Sequence, residues 1–476
     1  MDSGESRSWF NFRVGGILLK AITNVAVRIV NRWMPDAFLF AIILTIITFI
    51  GCVVLTGVSP LRVLTYWGSD TGFWGLLAFT MQMCLVVVLG SALAHAPVVN
   101  RLLVKCASLA HTPKQGIVVT VIVSGICMWI NWGFGLIAGV LLAKEVAKRI
   151  PNIDYRVLIA SGYSVICMWH AGLSGSIPLT ITQPGILASM GYTDDVNYAV
   201  STAETIFFPV NLAMVAVVII ACAVVMVVSH PDAEHTVAVD PALLKDDEVR
   251  TYEKKVPADA IEQSKILWAI TWIAGFAYII YYFVNMVVTG ADVLSGLTLN
   301  IVNMIFMFLG ILAHGSLRRY IDAIGDAATS AAGIILQFPF YAGIMGIMVG
   351  TNDEGVCLAS IIATTFVSIA TPITFPMFTF LAGGLINIFV PSGGGQWAVQ
   401  GPISMPAAAM IGCPAARAAM GIAWGDCWTN LIQPFWALPA LAIAGLSARD
   451  IMGYLVMLTI VVGVIVCIGF VIWAMV

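Results

Sequence analysis

Apolar runs about as long as a bilayer is thick recur along the whole chain, and they set its expected architecture. Asp36–Val58 and Gly72–Ala92 read as the first two spans, followed by the basic connection Arg101, Lys105 and Lys114. Glu204–Val228, Ile266–Val288, Leu297–His314, Ser330–Val349 and Ile451–Met475 read as further spans. Val14–Trp33 differs from these. Lys20, Arg28 and Arg32 alternate with Ile, Leu and Val there, which predicts an amphipathic helix lying on the cytoplasmic surface.

Four segments break the pattern. Lys114–Ile130 is apolar, stops at Asn131-Trp132-Gly133-Phe134-Gly135, and resumes at Leu136–Leu142, with basic residues at both ends. A single crossing would put positive charge on both faces of the membrane, so a re-entrant hairpin over about 114–143 with its tip at Asn131–Gly135 is expected. Arg156–Met190 is interrupted at His170–Pro178, and Arg417–Leu446 at Thr429–Pro434. Both read as discontinuous helices. The fourth break is Pro391–Gly401, where Gly393, Gly394 and Gly395 follow each other inside a long apolar region. Three glycines disfavour a helix by roughly 1 kcal/mol each, so non-helical backbone is expected at the tip of a second hairpin over about 372–411.

Charge orients this path. With the N-terminus cytoplasmic and about nine crossings, the C-terminus faces outward, and Arg62 and Arg417 alone among the 22 Lys and Arg fall on the outer side. His230–Ser264, rich in both signs of charge, is the expected cytoplasmic linker. The order of features before and after it matches. Gln82 and Gln337, the words Ser108–Pro113 and Ser368–Pro372, the two glycine-rich tips and the two interrupted helices recur in sequence. An odd number of crossings separates the copies, so they are inverted. The expected division is an N-terminal interfacial segment (1–35), a first repeat (36–228), a linker with a connecting span (229–296) and a second repeat (297–476). Inverted repeats whose broken helices meet near mid-membrane define an all-α secondary-transporter fold.

Composition agrees: 60% of residues are hydrophobic and 10% charged, against about 25% charged in soluble domains. A net charge of −3 leaves no nucleic-acid footprint. The ten cysteines lie in apolar runs without C-x-x-C spacing, which suits small buried hydrophobes. The chain has no G-x-S-x-G, no H-E-x-x-H and no paired histidines, so an enzyme is not expected. A channel, or a carrier of a dicarboxylate or an amino-acyl conjugate, stays open on these grounds.

The breaks supply the candidate chemistry. Backbone N–H groups at hairpin tips and half-helix N-termini suit an anionic solute, and glycines let it approach. Substrate candidates are therefore Asn131, Gly133, Gly135, Ser392, Gly393, Gly394, Gly395, Gln396 and Asn430, with Trp132, Phe134 and Trp397 beside an apolar tail. His170 and Asp426 lie roughly 16–20 Å into their spans, where ionisable groups are costly and usually functional. His170 is a candidate counter-charge or proton relay. Asp426, with Ser174, Ser176 and Thr429 beside the breaks, is a candidate for the coupling ion, Na⁺ or a proton. No other cofactor is expected.

Four words together resemble a known family: Pro391-Ser-Gly-Gly-Gly-Gln-Trp through Gln400-Gly-Pro402, Ile130-Asn-Trp-Gly-Phe-Gly135, Leu336-Gln-Phe-Pro-Phe-Tyr-Ala-Gly343 and Gln433-Pro-Phe-Trp-Ala-Leu-Pro-Ala-Leu-Ala-Ile-Ala-Gly445. They are similar to bacterial short-chain fatty acid transporters of the ion-transporter superfamily, from Trp33 to the last span. The resemblance implies uptake of butyrate- or acetoacetate-like monocarboxylates across the bacterial inner membrane, driven by an ion gradient. It also implies a scaffold domain, a moving transport domain and a homodimer.

Overall fold

A computed structural model describes residues 37–244, 252, 256–388, 390–433 and 436–476. The expected interfacial helix Val14–Trp33 lies outside the described residues, as does the middle of the linker. Among the described residues the protein is helical, with one isolated bridge, Thr351–Cys357, and no strand.

The first half comprises α1 (Ala37–Thr56), α2 (Pro60–Gly68), α3 (Leu77–Ala94), α4 (Pro97–Ala107), α5 (Pro113–Ile130), α6 (Trp132–Arg149) and α7 (Tyr155–Ser164). Helix α7 tightens into a 3₁₀ turn, Val165–Ala171, breaks, and resumes as α8 (Ser176–Thr180); α9 (Pro209–Val228) follows. The connecting span is α10 (Lys265–Thr289). The second half comprises α11 (Leu299–His314), α12 (Leu317–Ala327), α13 (Ala332–Val349), α14 (Leu358–Ile369), α15 (Phe375–Asn387), α16 (Gly393–Ile411), α17 (Ala415–Thr429), α18 (Ala437–Ala444) and α19 (Ala448–Met475). Among the described residues, seven helical stretches are long and apolar enough to cross a membrane and three shorter ones are apolar.

Local chemistry sets many of the starts. Proline stands in the first turn of α2, α4, α5 and α9, where its missing N–H costs nothing. Ser59, Thr112 and Asn131 cap α2, α5 and α6 by accepting N–H groups of the first turn.

The halves repeat one order and interlock. A long helix, a short surface helix and a second long helix open each half: α1, α2, α3 and α11, α12, α13. Helices α1 and α2 pack on α13, while α11 and α12 pack on α3, so each half begins by leaning on the other. Nearly all of the broken stretch Tyr155–Thr180 is buried, whereas α10 buries only Gly275 and Ile279, which places the first at the centre and the second at the periphery.

The first hairpin matches its expected tip. Helices α5 and α6 pack along each other with Asn131 alone between them. Its second arm is longer than expected and runs to Arg149, because Lys148 pairs with Glu145 one turn back at 2.6 Å and keeps the polar stretch helical.

The second tip requires a correction. Gly393, Gly394 and Gly395 are helical and form the first turn of α16; the non-helical backbone lies just before them, at Val390–Ser392. First-turn N–H groups have no intrahelical acceptor in any helix, and close packing on the missing side chains offsets the glycine penalty. Its arms are also splayed. Helix α15 packs mainly along α17, where Gly383, Gly421 and Gly425 remove the bulk between them: a Cβ on Gly425 would stand 2.4 Å from the Phe380 carbonyl oxygen.

The described ends of the linker are docked rather than loose. The Val237 N–H donates to Asp154 Oδ2 at 2.9 Å, and the Tyr155 N–H returns to the Val237 carbonyl at 3.0 Å. The Asp154 N–H donates to His230 Nε2 at 3.1 Å. At the far end Glu262 pairs with Arg318 of α12 at 3.0 Å.

Candidate transport site

Three of the four interrupted elements meet at one buried histidine, and the fourth reaches the same helix break. His170 lies in the last part of the 3₁₀ turn after α7, one residue before its end, and is fully buried. Its Nδ1 lies 2.9 Å from Asp426 Oδ2 on α17. Its Nε2 accepts the Ile177 N–H at 3.0 Å, across the break, and lies 2.8 Å from Ser176 Oγ. The backbone donor at Nε2 fixes the tautomer: the ring proton is on Nδ1 and points at the carboxylate. Trp169 stacks on the ring at 4.0 Å and 10°.

The second tip closes over this group. A Cβ on Gly393 would come within 2.5 Å of His170 Cε1 and Ser176 Oγ, and one on Gly394 within 2.5 Å of Phe79. One on Gly395 would come within 2.6 Å of Tyr341. The triple glycine therefore brings the α16 N-terminus against the α7–α8 break.

The first tip meets the same break from another side. The Trp132 N–H donates to Ser174 Oγ at 2.9 Å, and the Leu173 N–H to the Trp129 carbonyl at 2.7 Å. Asn131 Oδ1 accepts the Phe134 N–H at 2.9 Å. Trp132 contacts Trp169 with ring centres 5.5 Å apart and Trp436 at 4.8 Å. Trp436 Nε1 donates to the Pro391 carbonyl at 2.7 Å, so three tryptophans join the two tips. Gly133 and Gly135 pack on backbone instead: their Cβ atoms would meet Val87 Cα at 3.0 Å and Met128 Cα at 2.3 Å.

Helices α15, α16 and α17 carry a second polar node. Asn387 Nδ2 donates to Thr429 Oγ1 at 2.9 Å and to Asn430 Oδ1 at 2.8 Å. Thr429 donates its own proton to the Gly384 carbonyl at 2.8 Å. Gln396 Nε2 donates to the Gly383 carbonyl at 3.0 Å and to Gln400 Oε1 at 2.7 Å; Gln400 Nε2 reaches the Thr379 carbonyl at 3.0 Å. The polar atoms in and around these groups that are buried with no hydrogen-bond partner include Asn131 Nδ2, Asn430 Nδ2, Asp426 Oδ1, Asn387 Oδ1 and Gln396 Oε1, beside Trp132 Nε1 and Thr379 Oγ1.

Of the residues singled out in the sequence, His170, Ser176, Asp426 and Gly393 come together directly. Ser174 holds the first tip, and Thr429 and Asn430 hold the second node. Ser392 supplies the carbonyl that accepts the Gln396 N–H at 2.6 Å. Trp397 is buried beside Gly401. Gln82 bonds Asn300 on α11, and Gln337 accepts from Tyr341 one turn on, whose ring packs against Gly395 of the second tip. Asn387 and Asn211 are additions from the structure. Asn211 bonds the Ala171 carbonyl at 3.2 Å and accepts from Trp424 at 3.0 Å, tying α9 to both broken helices. Each was a lone polar residue at the edge of an apolar run, the one available signal. Among the described residues no group of three His, Cys, Asp or Glu side chains is placed to hold a metal.

Interrupted helices gathered around buried, partnerless polar groups in a helical membrane protein define a transporter. The chain belongs to the family described as short chain fatty acid transporter, whose sequence profile matches residues 18–473. It is 40% identical over 457 residues, 95% of this chain and 99% of the relative, to an Escherichia coli K12 protein provisionally named a short-chain fatty acid transporter. A Haemophilus influenzae protein with the same provisional name is 39% identical over 444 residues, 92% of this chain and 96% of the relative. The fold is similar to the Alcanivorax borkumensis YdaH transporter, reported to have an unusual topology, with a TM-score of 0.57 at 17% identity, covering 92% of this chain and 98% of that one. It is also similar to Neisseria gonorrhoeae MtrF, reported among a class of antimetabolite efflux pumps, with a TM-score of 0.55 at 15% identity, covering 95% and 97%.

Proposed function

We propose that this chain is a secondary carrier that takes up short monocarboxylates such as butyrate and acetoacetate across the bacterial cytoplasmic membrane, by alternating access coupled to a Na⁺ or proton gradient. Family membership supports the solute class. The observation that carries the site is the pair of buried amide donors, Asn131 Nδ2 and Asn430 Nδ2. In each, the oxygen is already committed as an acceptor, to the Phe134 N–H and the Asn387 amide respectively. The free nitrogens thus present N–H groups beside the helix breaks, and an unmet buried donor costs about 1–3 kcal/mol. A carboxylate oxygen meets that need.

Among the described residues no Lys or Arg side chain is buried. Neutral donors and helix N-termini suit one carboxylate better than two. Trp132, Trp169 and Trp436 supply apolar surface for a short tail. The proposal includes the moving transport domain, the homodimer, the cytoplasmic N-terminus and the outer C-terminus.

Counterflow tests it. Proteoliposomes loaded with unlabelled butyrate should draw in labelled butyrate, with acetoacetate competing and succinate not. Absence of counterflow, or equal competition by succinate, contradicts the assignment.

A further inference from the structure

Three of the partnerless atoms are acceptors, and the hydrogen-bond network fixes their identity. The Thr429 proton goes to the Gly384 carbonyl, so Thr429 Oγ1 must accept from Asn387, and the bonding nitrogen of Asn387 is Nδ2. Asn387 Oδ1 is then the unmet atom. Gln396 points its nitrogen at the Gly383 carbonyl, which leaves Oε1 unmet. Asp426 has Oδ2 on His170 and Oδ1 unmet. An amide flip at Asn387 or Gln396 would set oxygen against oxygen, so the surplus of acceptors cannot be removed by reorientation.

These atoms lie on helix faces that meet. Asn387 is one turn after Gly383 on α15, and Gln396 bonds Gly383, so Asn387 and Gln396 address the same face. Asn430 is one turn after Asp426 at the end of α17 and bonds Asn387. The three helices pack on one another, each carries one unmet acceptor, a carboxylate or an amide oxygen, and all three residues are fully buried.

Charge sharpens the requirement. The Ile177 N–H is the donor at Nε2, so the ring offers Asp426 Oδ2 the proton on Nδ1 and leaves Oδ1 unmet. A proton on Asp426 Oδ1 would satisfy one of the two amide oxygens and strand the other. A cation bound by oxygens satisfies all three. A single carboxylate balances one positive charge, and a divalent ion would leave one unit of charge buried and unpaired.

We infer that Asp426 Oδ1, Asn387 Oδ1 and Gln396 Oε1 form a binding site for a monovalent hard cation, and that the coupling ion is Na⁺. The inference rests on the carrier function proposed above and commits it to one of its two ions. Asn387 and Gln396 are ligands here, and Gln400, Thr429 and His170 position them.

Equilibrium binding of radioactive sodium to the purified full-length protein tests the site without a gradient or a substrate. Saturable binding is expected, displaced by unlabelled NaCl and not by choline chloride. Asn387→Ala should weaken it about tenfold, the loss of one charge-assisted contact, and Asp426→Asn should abolish it while the purified protein keeps a sharp unfolding transition. Absence of saturable binding to the wild type overturns the site, as does binding that neither substitution alters. Butyrate accumulation driven by a proton gradient with Na⁺ absent also overturns it, yet leaves the carrier function standing; absence of transport under either gradient overturns both.

Discussion

Nδ1 of His170 and Oδ2 of Asp426 lie 2.9 Å apart although 256 residues separate them in sequence. The bond joins the broken helix of the first half to that of the second. It depends on two other features. The Ile177 N–H holds the ring proton on the side that faces the carboxylate, and Gly393 lets α16 approach Cε1, between the two ring nitrogens. One side chain thus registers the relative positions of α7, α8, α16 and α17.

Removing that side chain should cost more than changing its partner. His170→Ala strands a carboxylate oxygen, the Ile177 N–H and the Ser176 hydroxyl, and about 3 kcal/mol of stability should be lost. Asp426→Asn keeps the shape and still offers an oxygen to Nδ1–H, so its loss should be within about 1 kcal/mol. Thermal unfolding followed by tryptophan fluorescence measures both. Equal losses would show that the bond does not organise the centre.

The glycines of the chain should divide by what surrounds them. Gly393→Ala and Gly394→Val place carbon within 2.5 Å of His170 and Phe79, and overpacking of this kind costs about 1–3 kcal/mol. Butyrate transport should fall to background in both while the protein still purifies as a folded species. Gly325, in α12, has nothing within 4 Å of its missing Cβ. Gly325→Ala should be active and more stable by up to about 1 kcal/mol. Normal transport by Gly394→Val would remove the tip from the mechanism.

Asp154 predicts a pH dependence where the linker docks. Burial alone raises its carboxyl, but the Arg156 guanidinium and the Val237 and Val157 N–H groups outweigh that and hold it below its ordinary value of 3.8. A depressed carboxyl contributes stability that is present above the unfolded value and lost as pH falls through the folded one. Protease cleavage at 230–244 should therefore be slow at neutral pH and accelerate below about pH 4. Asp154→Asn should show the fast rate at neutral pH. A variant as protected as the wild type would mean that other contacts dock the linker.

Long apolar runs made the main spans legible, because the bilayer fixes their length and leaves the chain few alternatives. Asn131 was legible for the same reason: one polar residue and two glycines stand out in such a run. Gly393–Gly395 misled, since helix propensity says nothing about what packs on a bare backbone, and His170, Phe79 and Tyr341 lie far away in sequence. Asn387 was hidden because its partners, Thr429 and Asn430, are on another helix, and periodicity carries no tertiary contact. Helices α2 and α4 escaped notice as 9- and 11-residue surface segments, too short and too polar to signal a span.

Accumulation of labelled butyrate in proteoliposomes containing the wild-type protein tests the central claim most directly. With an inward Na⁺ gradient the internal concentration should rise above the external one and fall back when the gradient is collapsed, and Asn131→Leu and Asn430→Leu should both abolish the rise. Internal butyrate that never exceeds the external level, under a Na⁺ or a proton gradient, would contradict a coupled monocarboxylate carrier.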